Sequence, residues 1–455
     1  MVTIMIDFSL LGSVLLSVVF LIVLILRFKI QAFLALLMAS ILVGVLSGMD
    51  PLAIIETIQE GMGNTLGFVA VVVGLGGIFG AILEHSGGAE SLANKLLDKF
   101  GVKHSSWALM LTGFIVAIPV FFEVAFIILV PMIYALQKKT KKSILLYGIP
   151  LLAGLAITHT FIPPTPGPVA VADILKADLG WVILFGFIAG IPTAIVCGPI
   201  FGKYIAKRIT TSSLPSLDVD SASVTKRKGL PSVAVITSII AIPIVLILLN
   251  TILNSALIEK DTIPQSILKW LSMIGHPFSA LLIANIIAWY LLGIRRGFTK
   301  TQLLDISSKS MAPAGIIILI TGAGGVFKQM LVNTGAGEML ANYFADKGVS
   351  ILLFAFISAA IVRILQGSAT VAMITAAGLT APLLAATISE PQKALLVIAV
   401  ASGASIMSHV NDSGFWLVGK YLGLTEKQTF KSWTLMTTLL ALIGFSCASV
   451  LSLFF

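Results

Sequence analysis

Polar positions are sparse along this chain, and they fall in clusters. Residues 9–26 hold no charged side chain over 18 positions, close to the roughly 20 apolar residues that a helix needs to cross a bilayer. Similar runs recur without the period-two alternation of a barrel strand, so the pattern predicts helices throughout. It gives ten spans, near 9–26, 31–48, 62–83, 143–175, 181–202, 231–252, 267–292, 311–331, 392–420 and 432–454, of which 143–175 and 392–420 are interrupted. Two further apolar regions, 105–137 and 350–388, each divide into two arms about a short atypical centre: Pro119–Glu123 and Arg363–Thr370. They read as re-entrant hairpins. Residues 86–101 and 334–348 read as short amphipathic interfacial helices before each hairpin. The fold class is an all-α polytopic membrane protein.

Composition agrees and narrows the function classes. Of 455 residues, 11% are charged and 58% hydrophobic, and mean hydropathy is +1.06. A soluble domain carries about 25% charged residues. A soluble enzyme, a disordered chain, a nucleic-acid binder and a disulfide scaffold are therefore excluded. The net charge of +9 has meaning through the placement of the basic residues. With the N-terminus outside, 22 of the 29 Lys and Arg fall in inside loops, and only Lys176, Lys260, Lys269, Lys347 and Lys393 fall in outside ones, as the positive-inside rule requires. The first basic residue, Arg27, follows the first apolar run, so that run reads as a retained span and not a signal peptide. Cys197 and Cys447 are far apart and in apolar segments. They support neither a disulfide nor a metal cage.

The halves resemble each other. A shift of 248 residues overlays 74–94 on 322–342 without gaps, with ten of 21 positions identical, among them Gly76/Gly324, Gly77/Gly325, Phe79/Phe327 and Asn94/Asn342. A shift of 250 brings Thr158-His159 onto Ser408-His409. The chain then divides into a first membrane repeat at 1–208, a Ser/Thr-rich cytoplasmic linker at 209–230, and a second repeat at 231–455. Five spans plus one hairpin per repeat invert the second copy. Inverted repeats mark secondary transporters, whose site lies at the midplane between the repeats.

Ionisable and polar groups at membrane depth are costly and are functional candidates. Four places qualify. The first hairpin centre carries Glu123, a carboxyl able to hold a proton or to cap the following arm. The run Thr158-His-Thr-Phe-Ile-Pro-Pro-Thr-Pro-Gly-Pro168 cannot be regular helix. Its Thr158, Thr160 and Thr165 offer hydroxyls to a polyhydroxylated solute, and His159 is a possible proton carrier. In the second hairpin centre, Arg363 suits a carboxylate, or an internal ion pair. Gly367, Ser368 and Thr370 open the next arm, whose free N–H groups favour an anion. Finally, Ser408-His-Val-Asn-Asp-Ser-Gly414 is turn-like. There His409 and Asp412 are candidate proton carriers, and Asn411 and Ser413 candidate hydroxyl binders. Lys328 reads as snorkelling near an outer end. No metalloprotease, nucleophile-elbow or phosphate-loop signature is present, so neither an enzyme nor an ATP-driven pump is expected, and no cofactor.

The runs 74–90, 158–168, 363–372 and 408–416 resemble those of the bacterial gluconate permease family, with similarity over nearly the whole chain. The resemblance implies proton symport of gluconate or a related sugar acid, a small anionic substrate, across the bacterial inner membrane. Kinship with the wider ion transporter superfamily implies scaffold and transport domains, a homodimer and elevator-type movement. Family members for D-serine and other small hydroxy acids leave a same-fold alternative open.

Overall fold

Helix boundaries follow local chemistry more than apolar length. The computed structural model describes residues 8–209, 229–254, 264–336, 339, 348–384 and 388–455. Most of the linker and of the second interfacial helix lies outside the described residues. Helix α1 is Phe8–Leu26 and α2 is Ala32–Leu46. The 15 residues of α2 span only about 22 Å, less than a full bilayer crossing. α3 runs Pro51–His85, starting where Asp50 accepts from the Leu52 and Ala53 N–H groups and Pro51 takes the first helical position. α4 (Gly88–Phe100) is the expected amphipathic helix.

The first expected hairpin region is α5 (Ser105–Val116) and α6 (Phe122–Thr140), whose arms meet at the tip but pack on the following helix and not on each other, unlike those of the second hairpin. Its tip packs against α3 because Gly80 carries no Cβ: one added there would stand 2.0 Å from the Pro119 carbonyl oxygen. The first broken helix is α7 (Leu145–Phe161) and α8 (Pro166–Leu175), and α9 is Leu179–Ala206 with a π-helical turn at Val196–Ile200.

The second half follows the same order. It begins with α10 (Val233–Asn254), α11 (Gln265–Gly275) and α12 (Pro277–Arg296). The span expected at 267–292 is therefore two helices. Pro277 has no N–H to continue α11 but suits the start of α12, and His276 caps the Phe278 N–H. α13 is Lys300–Asn333, opened by the Thr299/Gln302 capping box. The second hairpin is α14 (Ile351–Gln366) and α15 (Ala369–Thr380). The second broken helix is α16 (Glu390–Gly403) and α17 (Ser413–Leu422), and α18 is Glu426–Leu451.

Seven of the ten expected spans are helices long and apolar enough to cross a membrane among the described residues; α1, α2 and the broken α16–α17 are the other three. α3 packs along α13 more extensively than any other pair. The first broken helix is the most enclosed element: its apolar window is 89% buried, against 28% for α10. So α7–α8 lies in the protein interior, while most of α10 is left uncovered, as a lipid-facing helix would be.

Candidate functional site

Both hairpins and both broken helices end at one cavity. Its volume is about 340 Å³, inside the usual range for a small-molecule site. Hairpin one contributes Phe122 and Glu123, and α7 contributes Ala156, His159 and Thr160. Hairpin two contributes Arg363 and Gln366–Thr370, the second break Ser405 and Asn411–Gly414, and α18 Trp433, Thr437 and Leu440.

The second hairpin turns where its sequence permits a left-handed residue. Gly367 has φ +89°, and a Cβ there would lie 2.3 Å from the Asn411 carbonyl oxygen. Ser368 then caps α15 by accepting from the Val371 N–H. At the end of α14, the orphaned carbonyls of Ile364 and Leu365 accept from Asn411 Nδ2, at 3.0 and 3.2 Å. His409 Nε2 also donates to Ile364, at 2.8 Å. Tip and break are thereby tied together.

Arg363 is 4% exposed. Its Nη2 pairs with Asp412 Oδ2 at 2.5 Å, and its Nη1 donates to the Gly367 carbonyl. Asp412 in turn caps α17 through the Gly414 N–H and accepts from the Ser408 hydroxyl. Ser408 Oγ receives the Trp433 indole N–H at 2.5 Å, and its carbonyl accepts from Thr434 Oγ1. A π-helical turn at Phe430–Thr434 brings Trp433 and Thr434 to this position. Across the cavity, the Phe122 ring lies 5.5 Å from that of Trp433, and Phe121 stands 6.3 Å from His159. Glu123 sits in the first turn of α6, where the helix dipole favours a carboxylate.

The structure therefore gathers Glu123, His159, Thr160, Arg363, Gly367, Ser368, Thr370, Asn411, Asp412 and Ser413 around one cavity. Three expected residues are elsewhere. Thr158 is fully buried on another face of α7, with no hydrogen-bond partner for its hydroxyl. Thr165 donates to the Ile162 carbonyl and lies between the first break and the first hairpin tip. His409 is turned to the α14 carbonyl and away from the cavity. Two others are present but committed: Asn411 lends its amide to α14, and the Arg363 charge is answered by Asp412. Gln366, Ser405, Trp433 and Thr437 were not anticipated; α18 reads as a plain apolar span. Lys328, expected near an outer end, reaches a neighbouring helix. Its Nζ donates to the Ile174 carbonyl at 2.8 Å, capping the end of α8 from α13.

The model of the GntP permease family matches residues 9–454. The chain is 40% identical to a gluconate permease of Pseudomonas aeruginosa over 447 residues, covering 98% of each. It is 41% identical to the low-affinity gluconate transporter of Escherichia coli K12 over 429 residues, covering 94% of this chain and 95% of that one. Among solved structures it resembles the YdaH transporter of Alcanivorax borkumensis, with a TM-score of 0.66 and 14% identity, covering 97% of this chain and 98% of that one. At that identity the likeness speaks for the fold alone.

Proposed function

The chain belongs to the GntP permease family, multi-pass transporters of the bacterial inner membrane and not enzymes; from that premise we propose that it imports gluconate or a related sugar acid together with protons. The observation that carries this reading is the meeting of one arginine, two carboxyl groups and several hydroxyls in a cavity of about 340 Å³. The substrate carboxylate meets Arg363 and the N-terminus of α15. Its hydroxyls meet Thr160, Gln366, Ser368, Thr370, Asn411 and Ser413. The proton resides on one of the titratable groups at or beside the cavity: Glu123, His159, His409 or Asp412. The repeated order of long helix, hairpin, broken helix and final helix supports two inverted repeats. With the pairing of α3 and α13, it supports a scaffold built on those helices and a transport unit built on the hairpins and breaks. The unit moves by an elevator-type displacement in a homodimer.

Glu123 favours a second reading within the same fold. Its carboxyl faces the cavity and would receive the ammonium of a zwitterion such as D-serine. Labelled gluconate uptake into proteoliposomes, with D-serine as competitor, separates the two. Uptake unaffected by excess D-serine supports the sugar acid. D-serine uptake without gluconate uptake overturns it.

A further inference from the structure

The proposed function needs an anion to enter a cavity that is not positive. Among the lining residues Arg363 is the only permanently charged cation, and Glu123 and Asp412 are the acids. With Arg363 closed on Asp412, no cation is left for an incoming carboxylate, and Glu123 repels it. The Arg363–Asp412 pair is largely buried, with side chains 5% and 13% exposed. Such pairs contribute little net stability compared with apolar packing, so stability alone does not account for this one. Its geometry suits exchange. Asp412 is fixed independently of the arginine, by Ser408 and by the Gly414 N–H, and can stay in place when the guanidinium turns to another carboxylate.

We propose that Asp412 is the group that takes up the co-transported proton, and that its protonation hands Arg363 from Asp412 to the carboxylate of the substrate. The inference rests on the transport reading above and assigns its coupling residue. A proton from solvent binds Asp412 Oδ2 and neutralises it. Arg363, still charged, pairs with the substrate carboxylate, and the proton stays on Asp412 until the substrate leaves. The pair sums to zero charge when empty. Arginine, substrate monoanion and neutral Asp412 also sum to zero when loaded. One proton per monoanion follows, with no net charge moved. The other titratable groups near Asp412 are Glu123 from α6, His159 from α7 and His409 on its own loop. Protonating any of them leaves Arg363 held by Asp412, and α18 presents only the uncharged Trp433, Thr437 and Leu440 to the cavity.

The test is gluconate binding to the purified full chain in weakly buffered detergent, with proton uptake read by an indicator dye. One proton taken up per gluconate bound is expected. Wild-type affinity should fall about tenfold per pH unit on the alkaline side, while Asp412→Asn binds with an affinity independent of pH and Asp412→Glu restores the dependence. In proteoliposomes a potassium diffusion potential without a pH gradient should drive no accumulation. Gluconate binding without proton uptake, an unchanged pH slope in Asp412→Asn, or accumulation driven by potential alone overturns the inference and leaves the transport reading standing. If Asp412→Asn fails to fold, Asp412→Glu decides: one proton per gluconate with a displaced pH midpoint is expected, and a pH dependence identical to wild type overturns the inference. Absence of gluconate binding at every pH overturns the function and this inference with it.

Discussion

Replacing Arg363 by lysine keeps the charge and removes the fork. The guanidinium now serves two acceptors at once, the Gly367 carbonyl through Nη1 and Asp412 through Nη2. A lysine ammonium is a point charge on a different stem and cannot reproduce that planar geometry. In the empty protein the buried Gly367 carbonyl then loses its donor, at a cost of about 1–3 kcal/mol. In the loaded protein the substrate carboxylate loses one of two parallel charge-assisted hydrogen bonds, each contributing about 1.5–3 kcal/mol. The second loss falls on the complex and sets the affinity, which should drop roughly 10- to 150-fold at about 1.4 kcal/mol per decade. The assay is the concentration dependence of gluconate uptake in proteoliposomes, with a thermal melt to separate binding from folding. An affinity within twofold of wild type, in a variant that melts normally, refutes the carboxylate clamp.

Three further outcomes follow from contacts away from the clamp. Gly154→Ala places a Cβ 2.2 Å from the Met110 carbonyl oxygen and 2.7 Å from the Phe114 nitrogen; it should wedge α5 from α7 and cost about 3 kcal/mol, and a wild-type melting temperature would contradict this packing. Lys328→Met removes the donor to the Ile174 carbonyl, lowering stability by about 1–2 kcal/mol while gluconate affinity stays unchanged, which melting and binding together check. Asn411→Ala frees the Leu365 carbonyl and leaves that of Ile364 to His409 alone, and should speed hydrogen exchange at the second hairpin tip, as seen by mass spectrometry; unchanged exchange would show that the tip is held by other means.

The hairpin tips and breaks were legible because prolines, glycines and charges interrupt otherwise apolar runs. Three kinds of detail were not. Thr158 and Thr160 look equivalent in the sequence, yet two helical positions differ by about 200° around the axis, so only one faces the cavity. His409 and Asn411 look like ligands, but the end of α14 leaves carbonyls unsatisfied, and these side chains supply the donors. That need appears only when hairpin and break are adjacent. Trp433 and Thr437 lie in an ordinary apolar pattern, and the π-helical turn that presents Trp433 has no mark in the sequence. The pairing of Arg363 with Asp412 joins residues 49 positions apart, a tertiary fact that local reading left open between ion pair and substrate clamp.

The most direct measurement is labelled gluconate uptake into proteoliposomes, with an inward proton gradient and again after a protonophore has collapsed it. Accumulation above the external concentration with the gradient, falling to equilibration without it, is the predicted result. Equal uptake under both conditions, or no gluconate uptake under either, would contradict proton-coupled import of a sugar acid.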